Sequence, residues 1–327
     1  MTTIIITGVA GFIGSNLAAE LIKNNHKVVG IDDFSYGSPR NIAELVRNLN
    51  FQFVEGNIND YSVIHPLKGD VLVHLASQKI PRYSTSYRTI YENSSMMSNV
   101  IKKCLADKIK LVFSSTSDVY GKNPNIPFSE KSDLVMGPTN VKRWAYAVSK
   151  IYDEHSIICN NEEIGLEYTI MRFFGSYGQN QNTTWWGGPQ AVFIQNILEG
   201  KPIEIHGDGL QTRTFTYVSD TVQGVVKCIF EEKAKNEIFN IASEPDEEVT
   251  ISALAELIVE MMKEDGYNTI LKKIPYSTFG NYEDVRRRVP DISKIKTMLN
   301  FKPVYSLQQG LSVTIDWQKK IFNKIKV

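Results

Sequence analysis

Short runs of β-branched and aromatic residues recur along the first half of the chain, at 3–7, 27–31 (KVVGI), 51–55 (FQFVE), 70–74 (DVLVH), 110–114 (KLVFS) and 167–172 (EYTIMR). Between them lie segments long enough for helices, including "NLAAELIKNN" soon after the first run and stretches at about 88–105 and 145–161. In the last two, Met96, Val100 and Ile101 on one and Ile151, Ile157 and Ile158 on the other form apolar faces. The alternation predicts repeated strand–helix–strand units. Strands that are apolar throughout need helices on both sides, so the pattern predicts an α/β fold built on a doubly wound parallel sheet. Such open sheets collect ligands at the carboxyl ends of their strands. After about residue 174 the rhythm breaks into loops and mixed elements, including Trp185-Trp186-Gly187-Gly188-Pro189. A smaller mixed α/β lobe is expected there. The division expected is 1–174 with a returning segment at about 215–242 for the sheet domain, and 175–214 with 243–327 for the lobe.

Composition narrows the partner. With 36 basic and 36 acidic residues the charges cancel, so no global field draws nucleic acid or an anionic membrane. A small, locally recognised molecule fits better. The chain has no apolar run long enough to span a bilayer and no export-type leader, so a cytoplasmic location is expected. Cys104, Cys159 and Cys228 are too far apart for a CxxC metal or redox site, and no metal is expected.

The first candidate chemistry is the turn "GVAGFIGS" at 8–15, between the first apolar run and the first helix. Glycines at 8, 11 and 14 let backbone approach a pyrophosphate, whose charge is met by the free N–H groups of the helix start. The next run ends in "GIDDFSYG", where Asp32 is placed to accept from a ribose 2′-hydroxyl. A carboxylate there, with Asp33 beside it, repels a 2′-phosphate, so NAD is expected over NADP. The sheet is then of the Rossmann type.

The Gly-x-x-Gly-x-x-Gly spacing, with "YAVSK" at 146–150 and "VFSSTSDVYG" at 112–121, resembles the short-chain dehydrogenase/reductase superfamily. Tyr146 and Lys150 form its Tyr-x-x-x-Lys pair, four apart and therefore on one helix face, with Thr116 as the third catalytic residue. "HLAS" at 74–77, Asn93, "MRFFGSYG" at 171–178, "IHGDGLQTRTFTYVSD" at 205–220 and "DVRRRVPDISK" at 284–294 resemble the extended branch of nucleotide-sugar epimerases, dehydratases and decarboxylases. That resemblance covers about residues 3–317. It implies coenzyme contacts from Gly8, Gly11, Phe12, Ile13, Gly14, Asp32, Asp33, Asn57, Ile58, Leu75, Ala76, Ser77 and Asn93, together with Tyr146 and Lys150. For a UDP-sugar substrate it implies Arg82, Thr116, Gly175, Val192, Ile205, Arg213 and Arg286. Gly175 stands where the family usually has asparagine, which implies an altered fit at the sugar. A homodimer, paired through the helices at about 88–105 and 145–161, is also implied.

A phenol of pKa near 10 is a poor base at neutral pH, and making it one takes about 4 kcal/mol. A cation about 4 Å away gives on the order of 4 kcal/mol at an effective dielectric near 20, but only about 1 kcal/mol in bulk water. Lys150 is therefore expected to activate Tyr146 inside a sheltered site, with hydride leaving C4 of the sugar. By the same resemblance Asp118 stands where sugar 4,6-dehydratases and uronate decarboxylases carry glutamate, one methylene longer, and Ser117 stands where the dehydratases carry aspartate. The presence of Asp118 favours elimination or C5 chemistry on a 4-keto UDP-N-acetylhexosamine, followed by internal hydride return. A 4-epimerase and a UDP-glucuronate decarboxylase are the alternatives; a non-catalytic NAD-sensing protein is the reading from another class.

Overall fold

In the computed structural model, which describes residues 1–79, 85–184, 187–280 and 283–326, the predicted runs become strands of one sheet. The elements that frame it are β1 (Thr3–Thr7), α1 (Phe12–Lys23), β2 (Lys27–Asp32), β3 (Phe51–Glu55), β4 (Val71–His74), α2 (Ser86–Asp107), β5 (Lys110–Thr116), α3 (Trp144–Ile164), β6 (Tyr168–Phe173), α4 (Val218–Phe230) and β7 (Glu237–Ile241). The seven strands lie in the order β7-β6-β5-β4-β1-β2-β3, and every pairing is parallel. The chain is thus a Rossmann-like α/β protein. β1 and β4 are neighbours in space but far apart in sequence, and the order reverses between them. Their carboxyl ends therefore leave a crevice.

Side chains leave a strand on alternate faces, and each face here finds its own helices. Ile4 and Ile6 of β1 join Leu17, Ala18 and Leu21 of α1 and Val222 and Val225 of α4 in one apolar cluster. Ile5, with Leu72, Leu111 and Phe113, joins Met96, Met97, Val100 and Ile157 of α2 and α3 in the other. Thr85 caps α2 by accepting the Arg88 amide at 3.2 Å, and Gly165 ends α3 in the left-handed region at φ +76°. β5 runs two residues past its predicted end because Ser115 and Thr116 pair with Arg172 and Phe173 of β6. That extension carries Thr116 to the strand tip.

Beyond β6 come short strand pairs, parallel between 203–206 and 271–274 and antiparallel between 212–214 and 248–250. They pack with the helices Pro189–Leu198, Ile251–Lys263 and Leu307–Lys326. Ile197, Ile203, Leu254 and Leu311 belong to the same apolar cluster as Ile4. The lobe is therefore held to the sheet by continuous core. No helix among the described residues is long and apolar enough to cross a membrane.

Candidate active site

The crevice widens into a cleft of about 1280 Å³. This exceeds the roughly 300–1,000 Å³ of an ordinary small-molecule pocket, which gives room for a coenzyme beside a second ligand. Its floor at one end is the glycine turn. Gly8 has φ +74°, and a β-carbon there would lie 2.8 Å from the Ala76 amide nitrogen; one on Gly14 would lie 2.2 Å from the Gly8 carbonyl oxygen. Both glycines are needed to weld the turn to β4 and α1. A β-carbon on Gly11 would meet only the Gly8 oxygen, at 3.1 Å, and otherwise fill the cradle above the turn. Gly11 caps α1 with no side-chain bond, and Phe12, Ile13 and Gly14 line the cleft. First-turn N–H groups are thus available to an anion.

At the far side of the turn Asp32 is buried, accepting the Ala10 amide at 2.9 Å and the Phe34 amide at 2.8 Å. Burial pushes its carboxyl above the usual range, and these two amides oppose the rise. Asp33 accepts from the Asn57 side-chain amide at 2.8 Å, and both residues line the cleft with Ile58. The donor set and the acidic pair fit a dinucleotide whose ribose carries free hydroxyls. Leu75, Ala76 and Ser77 line the opposite wall. Asn93 lies behind them: it accepts the Gln78 amide at 2.7 Å and donates to Ser149 at 2.9 Å, fixing the loop rather than lining the cleft.

Tyr146 and Lys150 occupy the first turns of α3. The hydroxyls of Ser77 and Thr116 lie near the Tyr146 phenol and draw its pKa down. Thr116 Oγ1 accepts the Asp118 amide at 3.2 Å, which leaves its own proton for another partner. Lys150 is buried, donates to the Ser114 carbonyl at 2.9 Å, and stands 4.5 Å above the Phe113 ring. Burial draws the ammonium pKa down, with Asp153 and Glu154 opposing. His74, buried beside it and bonded to Thr7 at 2.7 Å, is driven down to about 3 by burial and by the Lys150 charge, so it is neutral. Burial, reinforced by the negative charge of Asp118, holds Tyr146 above its ordinary value in the free chain, and only the Ser77 and Thr116 hydroxyls pull it down appreciably.

Asp118 sits in a charged wall. Its Oδ1 accepts from Arg288 at 2.5 Å and from Arg143 at 3.1 Å. Asp284 bridges Arg143, at 3.2 Å, to Arg213, at 2.8 Å, and accepts the Tyr276 hydroxyl at 2.8 Å. Burial alone would raise both carboxyls, but Arg288 and Arg143 hold Asp118 below the usual range, and Arg213 and Arg143 bring Asp284 to about 2. Three guanidinium groups against two carboxylates leave the wall positive. Arg143 carried no motif in the sequence, and in "DVRRRVPDISK" at 284–294 only Arg286 was singled out; Arg143, Asp284 and Arg288 are brought together with Asp118 by ion pairs between residues far apart in the chain.

The remaining expected substrate contacts divide. Gly175 and Arg213 line the cleft. Val192 and Ile205 are buried in the core of the lobe and do not line it. Arg286 points outward to Asp208, at 2.7 Å and 2.9 Å, and it is Arg288 that turns inward. Alternation along the Arg286-Arg287-Arg288 run is the signal that separates the two. Arg82 lies outside the described residues.

A sheet of this order, a glycine turn opening its first helix and a Tyr-x-x-x-Lys pair facing a strand-tip threonine define an NAD-dependent enzyme of the nucleotide-sugar type. Residues 4–242 match the model of the NAD dependent epimerase/dehydratase family, and the chain belongs to that family. It is 36% identical over 326 residues, 98% of either chain, to UDP-N-acetyl-alpha-D-glucosaminuronate decarboxylase of Bacillus cytotoxicus. Among solved structures, Pal from Bacillus thuringiensis matches with a TM-score of 0.87 at 30% identity, over 98% of this chain and 99% of that one. UDP-glucuronic acid 4-epimerase from Bacillus cereus, in complex with UDP-glucuronic acid and NAD, matches with a TM-score of 0.85 at 29% identity, with the same coverage.

Proposed function

We propose that the enzyme oxidises C4 of a UDP-N-acetylhexosaminuronate, releases C6 as carbon dioxide, and returns the same hydride to C4, leaving a UDP-linked N-acetylated pentose. The observation that carries this reading is the state of Asp118. Clamped by Arg143 and Arg288, it stays a weakly basic carboxylate. Elimination of water across C5 and C6 then lacks a ready acid–base group. A 4-keto uronate needs none to lose its carboxylate. The C5–C6 bond breaks, its electron pair passes to the C4 oxygen as an enolate, carbon dioxide departs, and C5 takes a proton. A positive wall beside Thr116 also suits an anionic sugar, and the Bacillus cytotoxicus decarboxylase adds weight as a relative over nearly the whole chain.

In this reading Tyr146 takes the C4 hydroxyl proton, Thr116 orients that hydroxyl, and Lys150 holds the coenzyme ribose. Bound NAD supplies the hydride acceptor and, when oxidised, a positive ring charge. The free chain keeps the phenol high, so Tyr146 becomes basic only in the loaded cleft. Segments 1–174 and 215–242 hold the coenzyme, with Gly8, Gly11, Gly14 and Asp32 foremost. Segments 175–214 and 243–327 hold the UDP, with Arg213 on the diphosphate and Arg288 in the place expected of Arg286.

A uronate 4-epimerase is the second reading, favoured by the Bacillus cereus structure. Incubation with NAD and either UDP-N-acetylglucosaminuronate or UDP-N-acetylglucosamine, followed by proton NMR, separates the routes. A pentose product supports decarboxylation. A six-carbon uronate epimer, or dehydration of the neutral sugar, overturns it.

The enzyme is further proposed to be a homodimer. Met96, Val100, Ile101 and Ile157 are consumed by the core. Tyr87, Ile90 and Tyr91 on α2 and Val148 and Tyr152 on α3 are instead exposed, and α2 packs on α3. They offer an apolar face for a second copy.

A further inference from the structure

We infer that the side chains of Tyr36 and Gln78 form a strap across the coenzyme, one that has to open before NAD can enter or leave. The strap acts on the coenzyme rather than on the proposed chemistry, and it serves whichever sugar is turned over. Tyr36 lies in the loop after β2, and Gln78 in the loop after β4. β2 and β4 are the two neighbours of β1, so these loops start about 10 Å apart, two strand spacings. Between them the chain turns from β1 into α1, where the glycines and the first-turn N–H groups offer a pyrophosphate its seat. Across that gap the Tyr36 hydroxyl donates to Gln78 Oε1 at 2.7 Å, and both residues line the cleft. The bond closes a bridge over the seat of the pyrophosphate.

The two ends of the bridge differ. Gln78 is buried, and Asn93 holds its backbone twice, accepting its amide at 2.7 Å and donating to its carbonyl at 3.1 Å. On the other side the Ser38 amide donates to the Ala10 carbonyl at 3.0 Å and the Asn41 side chain to the same oxygen at 2.9 Å, which pins the loop after β2 to the glycine turn. Tyr36 itself is 37% exposed. The backbone is thus fixed at both ends, and the tyrosine ring is the part that can swing outward. One hydrogen bond of this kind slows passage by about two- to tenfold. A reaction that returns its own hydride benefits from the delay, because reduced coenzyme that departs early strands the ketone.

The test follows NADH fluorescence by stopped flow in the parent enzyme, in Tyr36→Phe, in Gln78→Met and in the double variant. Release is timed by chasing bound NADH with excess NAD, and entry by mixing coenzyme-free enzyme with NADH. Tyr36→Phe keeps the ring and Gln78→Met keeps the length of the side chain, so neither empties a packed space. Each single change should speed entry and release alike, by about five- to tenfold, with Kd altered by less than about twofold. The double variant should be no faster than either single one, because both changes remove the same bond. Release at the parental rate in either single variant overturns the strap. Faster release without faster entry also overturns it, since the side chain would then be a direct contact of the coenzyme, and so does a double variant whose effect is the product of the two. No sugar is present in these measurements, so the strap stands or falls apart from the chemistry at C6.

Discussion

Tyr146 is raised by burial and by Asp118, and lowered by the hydroxyls of Ser77 and Thr116, so its basicity depends on what else enters the cleft. Removing its hydroxyl removes the proton acceptor while leaving the glycine turn intact. Tyr146→Phe should therefore lower turnover by about 10²–10⁴-fold with NAD affinity nearly unchanged, measured by steady-state kinetics beside calorimetry. Spacing made Tyr146 and Lys150 legible, because four residues along a helix amount to one face. The same arithmetic says nothing of Arg288, which reaches Asp118 across the whole second lobe. Nor does spacing alone set a pKa. Lys150 follows Tyr146 by one turn, yet its ammonium bonds to the Ser114 carbonyl.

At the scale of elements, α3 is held to the sheet by a buried ion pair as well as by apolar packing. Arg172 of β6 donates to both oxygens of Glu154 of α3, at 3.0 Å and 2.6 Å, and Ser115 of β5 adds a third bond at 2.5 Å. The pair thus ties α3, which carries Tyr146 and Lys150, to the strand that ends in Thr116. Glu154→Ala would strand a guanidinium that is almost wholly buried. It should destabilise the protein by about 3–5 kcal/mol, read as a lower urea midpoint. Six of the seven strands were legible as short runs of β-branched and aromatic residues bounded by helical segments; β7 was not read as a strand, although 215–242 was expected to return to the sheet domain. The tip of β5 was not legible, since Ser115 and Thr116 are polar and become strand only by pairing with β6. The helical apolar faces were legible as faces, but what they pack against was not: Met96 and Val100 belong to the core, and the exposed face is marked by tyrosines.

Across the whole molecule, the charged wall couples the lobe to the sheet and gives stability a predictable pH dependence. Asp284 has a folded pKa of about 2, below its unfolded value, so its contribution is present above about pH 4 and is lost as pH falls toward 2. Asp118 shifts in the same direction. Thermal melts should accordingly show no loss from this wall between pH 7 and 5 and a progressive loss below about pH 4; Asp284→Asn should flatten that acid limb. Sedimentation velocity should find a dimer, and Tyr87→Glu with Tyr152→Glu should yield a monomer that still binds NAD. Whether the assembled cleft does what is proposed turns on the fate of one carbon. With UDP-N-acetylglucosaminuronate labelled with ¹³C at C6, NMR should show the label leaving as carbon dioxide and bicarbonate, one for each pentose formed. Label retained in a six-carbon sugar while C4 turns over would contradict the account.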